Sequence, residues 1–434
     1  MVRLMSRQVL GGLLLAMLSA GAVRSAPPGP GAAAGEPGTL PPTAPTGFLL
    51  QPAAVVPAPT SLAFSPDGAT LYVSSLGGAV FAFPVLGGVA LGPPVPFLDN
   101  LSSPLGVLAT DDAVFVSVLV AGGERDTGAV LRARDDNGDL VADTVDTVIG
   151  GLPVGRHNTN GLAIGPDGLL YIANGNATDS GFHEEGGPAE VRPWSGSLLR
   201  VDPSATGLTP TPTMVVATGW RNIYDVAFAP AHHPTLPSGL AAVPMNGPDG
   251  VEYAQADGST KLRPAAEDTL SLLDVTDGMI EHFGFPWCLY DRDNGGLRGF
   301  TQDPAEGTCD PLPADALAGL AGPVERARPA ALFGLHVSAN GLAFNPGTNF
   351  PAAMNGDLFV AEFGNFSGDE TVGHKIVRVR FTAKGHKVAA IEDFMTGGLP
   401  LDVTFAADGA MWVADFSGQI LRVSAAPGGG LALE

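Results

Sequence analysis

Three short polar clusters interrupt an otherwise apolar, turn-rich chain: Arg156-His157-Asn158, Trp220-Arg221-Asn222 and Asn246-Gly247-Pro248-Asp249. The first two sit at the start of an apolar strand pattern, and the residue types set what each cluster could do. A histidine titrates near neutrality and takes or gives a proton. An arginine is a fixed cation that steadies developing negative charge. A fourth cluster, in RARDDNGDLVADTVD, places Asp135, Asn137, Asp139 and Asp143 at positions one, three, five and nine, with Gly138 at the bend. That is the spacing of oxygen-rich calcium loops, although the distant bidentate Glu of a full loop is missing. A solvated acidic turn is the alternative. Plainer readings stand beside the other clusters too: His157 satisfying a loop hydrogen bond, Arg221 bonding to neighbouring carbonyls, and Asn-Gly-Pro-Asp as a simple turn.

The elements that must position these groups are short strands. The chain has 434 residues, 45% apolar and 15% charged, with 59 Gly and 39 Pro, which predicts many turns and an all-β fold. One pattern recurs: SLAFSPDGATLYVSS from Ser61, GVLATDDAVFVSVL from Gly106, GLAIGPDGLLYIANG from Gly161, DVAFAP from Asp225, GLAFNPGTNFPAAMNGDLFVAEF from Gly341 and DVTFAADGAMWVADF from Asp402. Each copy is an apolar strand, a turn rich in Pro, Asp or Gly, and a second strand. Several are followed by a third strand with Arg among aliphatic residues, as in GSLLRVDP and HKIVRVRF. One such unit cannot bury both faces, whereas radially arranged units bury them against each other. Six copies predict a six-bladed β-propeller with long inserted loops, spanning residues 47–426. The segment GFLLQPAAVV before the first copy is expected to complete the last blade. A double-sheet sandwich is the runner-up. The longest gap between copies, from Asp225 to Gly341, is expected to lay loops over one end of the propeller, where function collects.

Residues 1–25 read as a secretory signal peptide, with an Arg-bearing start and an apolar run from Val9 to Leu18; residues 26–46 read as a Pro/Gly/Ala-rich linker, and 427–434 as a flexible tail. Export to the periplasm or the extracellular space follows. There Cys288 and Cys309, the two cysteines, are expected to form a disulfide closing a loop of about 20 residues. A net charge of −22 argues against nucleic acid as a partner. Beyond the leader, no segment approaches the roughly 20 apolar residues that cross a bilayer.

GRHNTNGLAIGPDGLLYIANGN, GWRNIYDVAFAP, NGPDG, HFGFPWCLYD and NGDLFVAEF, taken in this order, resemble the soluble pyrroloquinoline-quinone-dependent sugar dehydrogenases, closest to the glucose/sorbosone branch, over roughly residues 47–424. The resemblance implies oxidation of an aldose, or of a sorbosone-like sugar or aldehyde, by hydride transfer to the quinone, with an unidentified electron acceptor downstream. It makes His157 the general base and places Arg221 and Asn222 against the cofactor, with Asn246 and Lys375 as further cofactor contacts. It makes Gly247 and Pro248 the carbonyl ligands of a calcium ion that clamps the quinone.

The sequence departs from that pattern at defined places. Asn176 stands where a carboxylate is expected to orient the imidazole. Leu399 and Leu401 stand where two arginines are expected to grip the cofactor's carboxylates, and Lys375 follows an inserted loop. His183, Lys261 and Arg263 on inserted loops are possible substitutes. Two other functions are open: a propeller that lost the quinone and acts as a binding module, and a metal-dependent lactonase-like hydrolase drawing on Asn160, Asn222, Asn340 and Asp402.

Overall fold

The computed structural model describes residues 40–122, 125–179, 194–254, 260–291, 296–299, 312, 314–365, 372–382 and 387–427. The chain is all-β, with 3% helix, and its sheets form a β-propeller arrangement in which five blades are regular. Six sheets of four to six strands follow one another along the chain, with two separate hairpins, Asp249–Ala254 with Thr260–Ala265 and Cys288–Asp291 with Gly296–Gly299. The innermost strands, in order, are Pro59–Phe64, Val107–Ala109, Thr159–Ile164, the pair Asn222–Ile223 and Ala227–Phe228, Ala339–Phe344, and Pro400–Phe405. The first of these lies against the second and the sixth, and the fifth lies against the fourth and the sixth, so the order closes on itself. The fourth sheet departs most from the pattern, its inner strand being split around Asp225.

The repeated turns explain why the strands end where they do. In Ser65-Pro66-Asp67-Gly68 the Asp67 carboxylate accepts the Ala69 N–H at 2.9 Å and the Ser65 hydroxyl at 2.6 Å. Asp167 and Asp408 accept the N–H two residues on in the corresponding turns of the third and sixth sheets. These side chains hydrogen-bond their own backbone and reverse the chain.

Closure comes from the N-terminal strand, as expected. Phe48–Val55 pairs antiparallel with Gln419–Ala425, from Phe48 opposite Ala425 to Val55 opposite Gln419. The stretch just before it is also held, since Thr43 exchanges backbone hydrogen bonds with Thr396 at 2.7 and 3.0 Å.

The core lies between neighbouring sheets. Phe115, Val130, Ile149, Leu170 and Ile172 are buried between the second and third sheets, and Tyr171, Leu198, Trp220, Ile223 and Val243 between the third and fourth. Each fully buried side chain of this size contributes roughly 1.5–3 kcal/mol. The long insertion does more than form loops: Ile280–His282 and Val324–Arg326 extend the third sheet by parallel pairing, beginning at Ala217 opposite Glu281.

Candidate functional site

His157 lies just before the inner strand Thr159–Ile164, on a loop bonded to the loop that follows the neighbouring strand Leu170–Asn174. Arg156 N–H donates to the Ala177 carbonyl at 2.7 Å, and Gly175 N–H to the Asn158 carbonyl at 3.0 Å. Position 175 has to be glycine for this approach: a Cβ there would stand 2.6 Å from both the Asn222 amide oxygen and His157 Cβ. The His157 side chain is 9% exposed, and its Nδ1 lies 2.7 Å from the Asn176 carbonyl oxygen. A carbonyl only accepts, so Nδ1 carries the proton and Nε2 offers its lone pair. Burial first, and then the charge of Arg221, hold the imidazole neutral and pull its pKa down to about 3; Asp179 and the Asn176 hydrogen bond oppose them.

Asn176 thus orients the ring through its backbone, although its side chain carries no charge. The amide is used elsewhere: it donates to the Thr178 carbonyl and hydroxyl at 2.8 and 2.9 Å and accepts from the Ser195 hydroxyl at 2.8 Å. The Asn176 N–H donates to the Arg221 carbonyl at 2.7 Å, joining the third sheet to the fourth.

Arg221 follows Trp220, which is buried, stacks on Phe283 at 4.4 Å and donates its indole N–H to the Ser271 hydroxyl at 3.2 Å. The arginine is 4% exposed, and its Nε bonds to the Asp179 carboxylate at 2.8 Å, with Nη2 on the same oxygen. Arg156 Nε approaches that oxygen at 3.9 Å. Against the pull of burial, the arginines hold Asp179 below the usual carboxylate range. Sequence reasoning missed Asp179. Its signal was a carboxylate three residues beyond Asn176, brought back to Arg221 by a loop whose shape the sequence does not announce.

A ladder of asparagines crosses the fourth sheet. The Asn160 amide donates to Asn222 Oδ1 at 3.0 Å and to the Ile223 carbonyl at 2.8 Å; Asn222 donates to Asn246 Oδ1 at 2.8 Å, and Asn246 to the Ala339 carbonyl at 2.8 Å. Next to it, Gly247 N–H donates to Asp268 at 2.8 Å, and the Pro248 carbonyl accepts the Ala266 N–H at 3.0 Å.

The starts of the inner strands ring one mouth of the propeller's channel, and the side of it formed by the fifth and sixth sheets is different. Leu399 and Leu401 are buried with Phe363, and Tyr224 and Phe416 pack against them. Lys375 is engaged by Asp393 at 2.7 Å and by Glu362 at 3.7 Å. Glu362 is 1% exposed, and its Oε2 takes no hydrogen bond. Burial raises its pKa to about 8, against the pull of Lys375.

The sites suggested by the sequence therefore separate. His157, Arg221, Asn222 and Asn246 are brought together, with Gly247 and Pro248 beside them; Lys375 is tied to carboxylates on the fifth sheet. The hydrolase set is not gathered, because Asn160 and Asn222 bond to each other while Asp402 accepts the Leu62 N–H at 2.8 Å and the Val403 N–H at 2.7 Å. In the acidic loop, Asp135 accepts the Gly138 and Leu140 N–H groups at 2.7 and 2.8 Å, Asn137 and Asp139 each accept the N–H two residues on, and Asp143 accepts that of Asp136 at 2.8 Å. No group of three or more His, Cys, Asp or Glu poised to hold a metal occurs among the described residues. Cys288 is buried and is not a free thiol, whereas Cys309, like His183, lies outside the described residues. For Lys261 and Arg263 only the backbone strand is described.

Residues 95–217 match a family described as a domain of unknown function, DUF7133. No curated protein matches the sequence. Among solved structures, the chain is similar to a Trichoderma reesei member of Carbohydrate-Active Enzymes Family AA12, with 18% identity over 90% of this chain and 98% of that one and a TM-score of 0.66. It is similar to the PQQ domain of a Coprinopsis cinerea pyranose dehydrogenase, in holo form, with 16% identity over 91% and 99% and a TM-score of 0.66. The soluble aldose sugar dehydrogenase of Escherichia coli aligns at 18% identity over 87% and 100%, with a TM-score of 0.58. At these identities the likeness is one of fold.

Proposed function

We propose that the chain is an exported oxidoreductase of the soluble sugar-dehydrogenase kind, built on a six-bladed propeller that counts the split fourth sheet as a blade. In this reading His157 takes the proton from a hydroxyl of a sugar or hydrated aldehyde. The observation that carries it is the 2.7 Å contact from His157 Nδ1 to the Asn176 carbonyl, which fixes the ring and leaves Nε2 as an acceptor. A general base needs that tautomer, and a ring held by a backbone carbonyl keeps it. The imidazolium formed on proton transfer is disfavoured by burial and by Arg221. Asp179 offsets part of that cost, since its charge favours the protonated ring. Asn222 and Asn246, braced by the ladder, orient neutral polar groups of the substrate.

The described residues do not fit pyrroloquinoline quinone, a tricarboxylate. Arg221 and Lys375 are both held by carboxylates, and the remaining side is lined by Leu399 and Leu401. The proton step therefore stands on His157, and the hydride leaving the carbon that bears the hydroxyl passes to a diffusible two-electron acceptor, a role the dye fills in the assay. Calcium at Gly247 and Pro248, a structural calcium at Asp135, Asn137, Asp139 and Asp143, and the Cys288–Cys309 disulfide are further proposals, the first two open to metal analysis of purified protein. A second reading, a binding module without redox chemistry, is favoured by the same leucine cluster.

The test is dye reduction by the purified protein with a panel of aldoses, with and without added quinone and calcium, alongside calorimetric titration of the same sugars. Sugar-dependent reduction that disappears in His157→Ala supports the oxidoreductase. Sugar binding without reduction in any condition supports the binding module. Neither binding nor reduction overturns both.

A further inference from the structure

The channel has a second mouth, at the far ends of the inner strands, and a cavity of about 580 Å³ opens there. Its size is that of a small-molecule site rather than of an ion. Four of the inner strands end on it with a phenylalanine: Phe64, Phe228, Phe344 and Phe405. Asp225 and Asp402 also line it, and no described lining residue is Lys, Arg or His. The glycine repeat makes room for the two carboxylates. A Cβ at Gly161 would stand 2.0 Å from Asp225 Oδ1, and one at Gly341 2.0 Å from Asp402 Oδ1.

Each carboxylate ties neighbouring sheets together. Asp225 accepts the Val226 and Leu342 N–H groups at 2.8 and 3.2 Å, and Asp402 those of Val403 and Leu62 at 2.7 and 2.8 Å. Each of the four oxygens accepts one backbone hydrogen bond, Asp402 also bonds the Ser61 side chain, and the carboxylates keep further acceptor capacity. Among the described residues neither aspartate has a cationic partner. Burial, and for Asp225 the charge of Asp402, raise the proton affinity of both, as expected of carboxylates enclosed without a counter-ion.

We propose that this second mouth is a binding site for an organic ammonium group, held by Asp225 and Asp402 and enclosed by the four phenylalanines. The lining selects this class over a metal ion. A hard divalent cation takes six or more oxygens, and among the described residues no third acidic or imidazole ligand joins these two aspartates. An ammonium carries three donors for the carboxylates, and the phenylalanines at the rim give the carbon chain attached to it an apolar wall. The ligand is either a free amine or a lysine side chain of a peptide; both present the same group.

The experiment titrates the full-length protein by calorimetry with n-butylammonium, with 1-pentanol as its neutral counterpart, with Nα-acetyl-lysine amide and with calcium chloride. Saturable binding of butylammonium at about 1 mM or below, with none of pentanol, is the expected result. Acetyl-lysine amide binding as well identifies a lysyl source, and butylammonium alone a free amine. Asp225→Asn and Asp402→Asn each lower the affinity at least about tenfold, the loss expected of one charge-assisted bond. Because both aspartates also hold backbone N–H groups, Phe228→Leu and Phe405→Leu provide variants that keep them; these weaken the amine severalfold. Equal binding of pentanol, no saturable amine binding, or calcium displacing the amine at equal concentration overturns the proposal.

Discussion

The His157 mouth of the channel is lined in two contrasting ways. Against the third and fourth sheets, His157, Arg221, Asp179 and the Asn160–Asn222–Asn246 ladder form a continuous set of directed bonds. Against the fifth and sixth, Leu399, Leu401 and Phe363 pack together, and Lys375 is drawn to Asp393 and Glu362. The difference teaches which parts of a site change freely. An apolar cluster needs only volume and shape, so each member can be replaced singly. The Arg221–Asp179 couple has less freedom, because losing either partner takes the nearest opposite charge from a buried ion. One side thus presents a fixed, hydrogen-bonded imidazole, while the other presents a packed apolar surface.

The sharpest test of the polar side is His157→Ala. If the imidazole is the base, turnover falls by about 10²–10⁴-fold, measured as dye reduction per folded enzyme, a loss far beyond what the few degrees or so of melting temperature given up with a buried side chain explain. A fall of less than threefold removes His157 from the chemistry. Asp179→Asn comes next. It takes from the buried Arg221 guanidinium the carboxylate that holds its Nε and Nη2, at a cost of up to about 3–5 kcal/mol in denaturant unfolding. If Arg221→Met joined to Asp179→Leu restores most of that loss, the couple matters for stability through its pairing rather than its packing.

The apolar side is tested by Leu399→Arg with Leu401→Arg. Each new cation that meets a carboxylate of the quinone contributes roughly 1.5–3 kcal/mol, so affinity for the quinone, followed by its absorbance, rises at least tenfold for each arginine engaged. Some folding stability is lost, since two buried leucines go. No gain in quinone affinity would show that these leucines are not what bars it, and the contrast between the two sides would lose its functional meaning.

How far the sequence foretold this can be read from the same residues. The strand–turn–strand repeat was legible because period-two apolar runs and Pro-Asp-Gly turns are local signals, and the closing pairing of Phe48–Val55 with Gln419–Ala425 followed from counting strands. His157 and Arg221 were legible as polar residues at apolar strand starts. Asp179 and Glu362 were not. The first depends on the path of a loop, and the second ends the strand Leu358–Glu362 like any surface residue until its neighbours bury it. The role of Asn176 was hidden for another reason: a backbone carbonyl carries no sequence signature.

The smallest expected effect is a difference in how the two sides respond to pH. His157 binds its proton less readily folded than unfolded, with its pKa pulled from 6.5 to about 3. Its contribution to stability is present above pH 6.5 and is lost as pH falls toward 3. Glu362 is the reverse, raised from 4.5 to about 8. The folded state binds the extra proton, so that contribution is complete below pH 4.5 and is lost as pH rises through 8. Glu362→Gln, which cannot ionise, should therefore flatten the alkaline side of the melting-temperature profile by about a few degrees and leave the acid side alone. His157→Gln should do the opposite. If Glu362→Gln leaves the alkaline side unchanged, Glu362 is ionised and satisfied by Lys375 in the folded protein, and that side of the mouth is an ion-pair network rather than an apolar one.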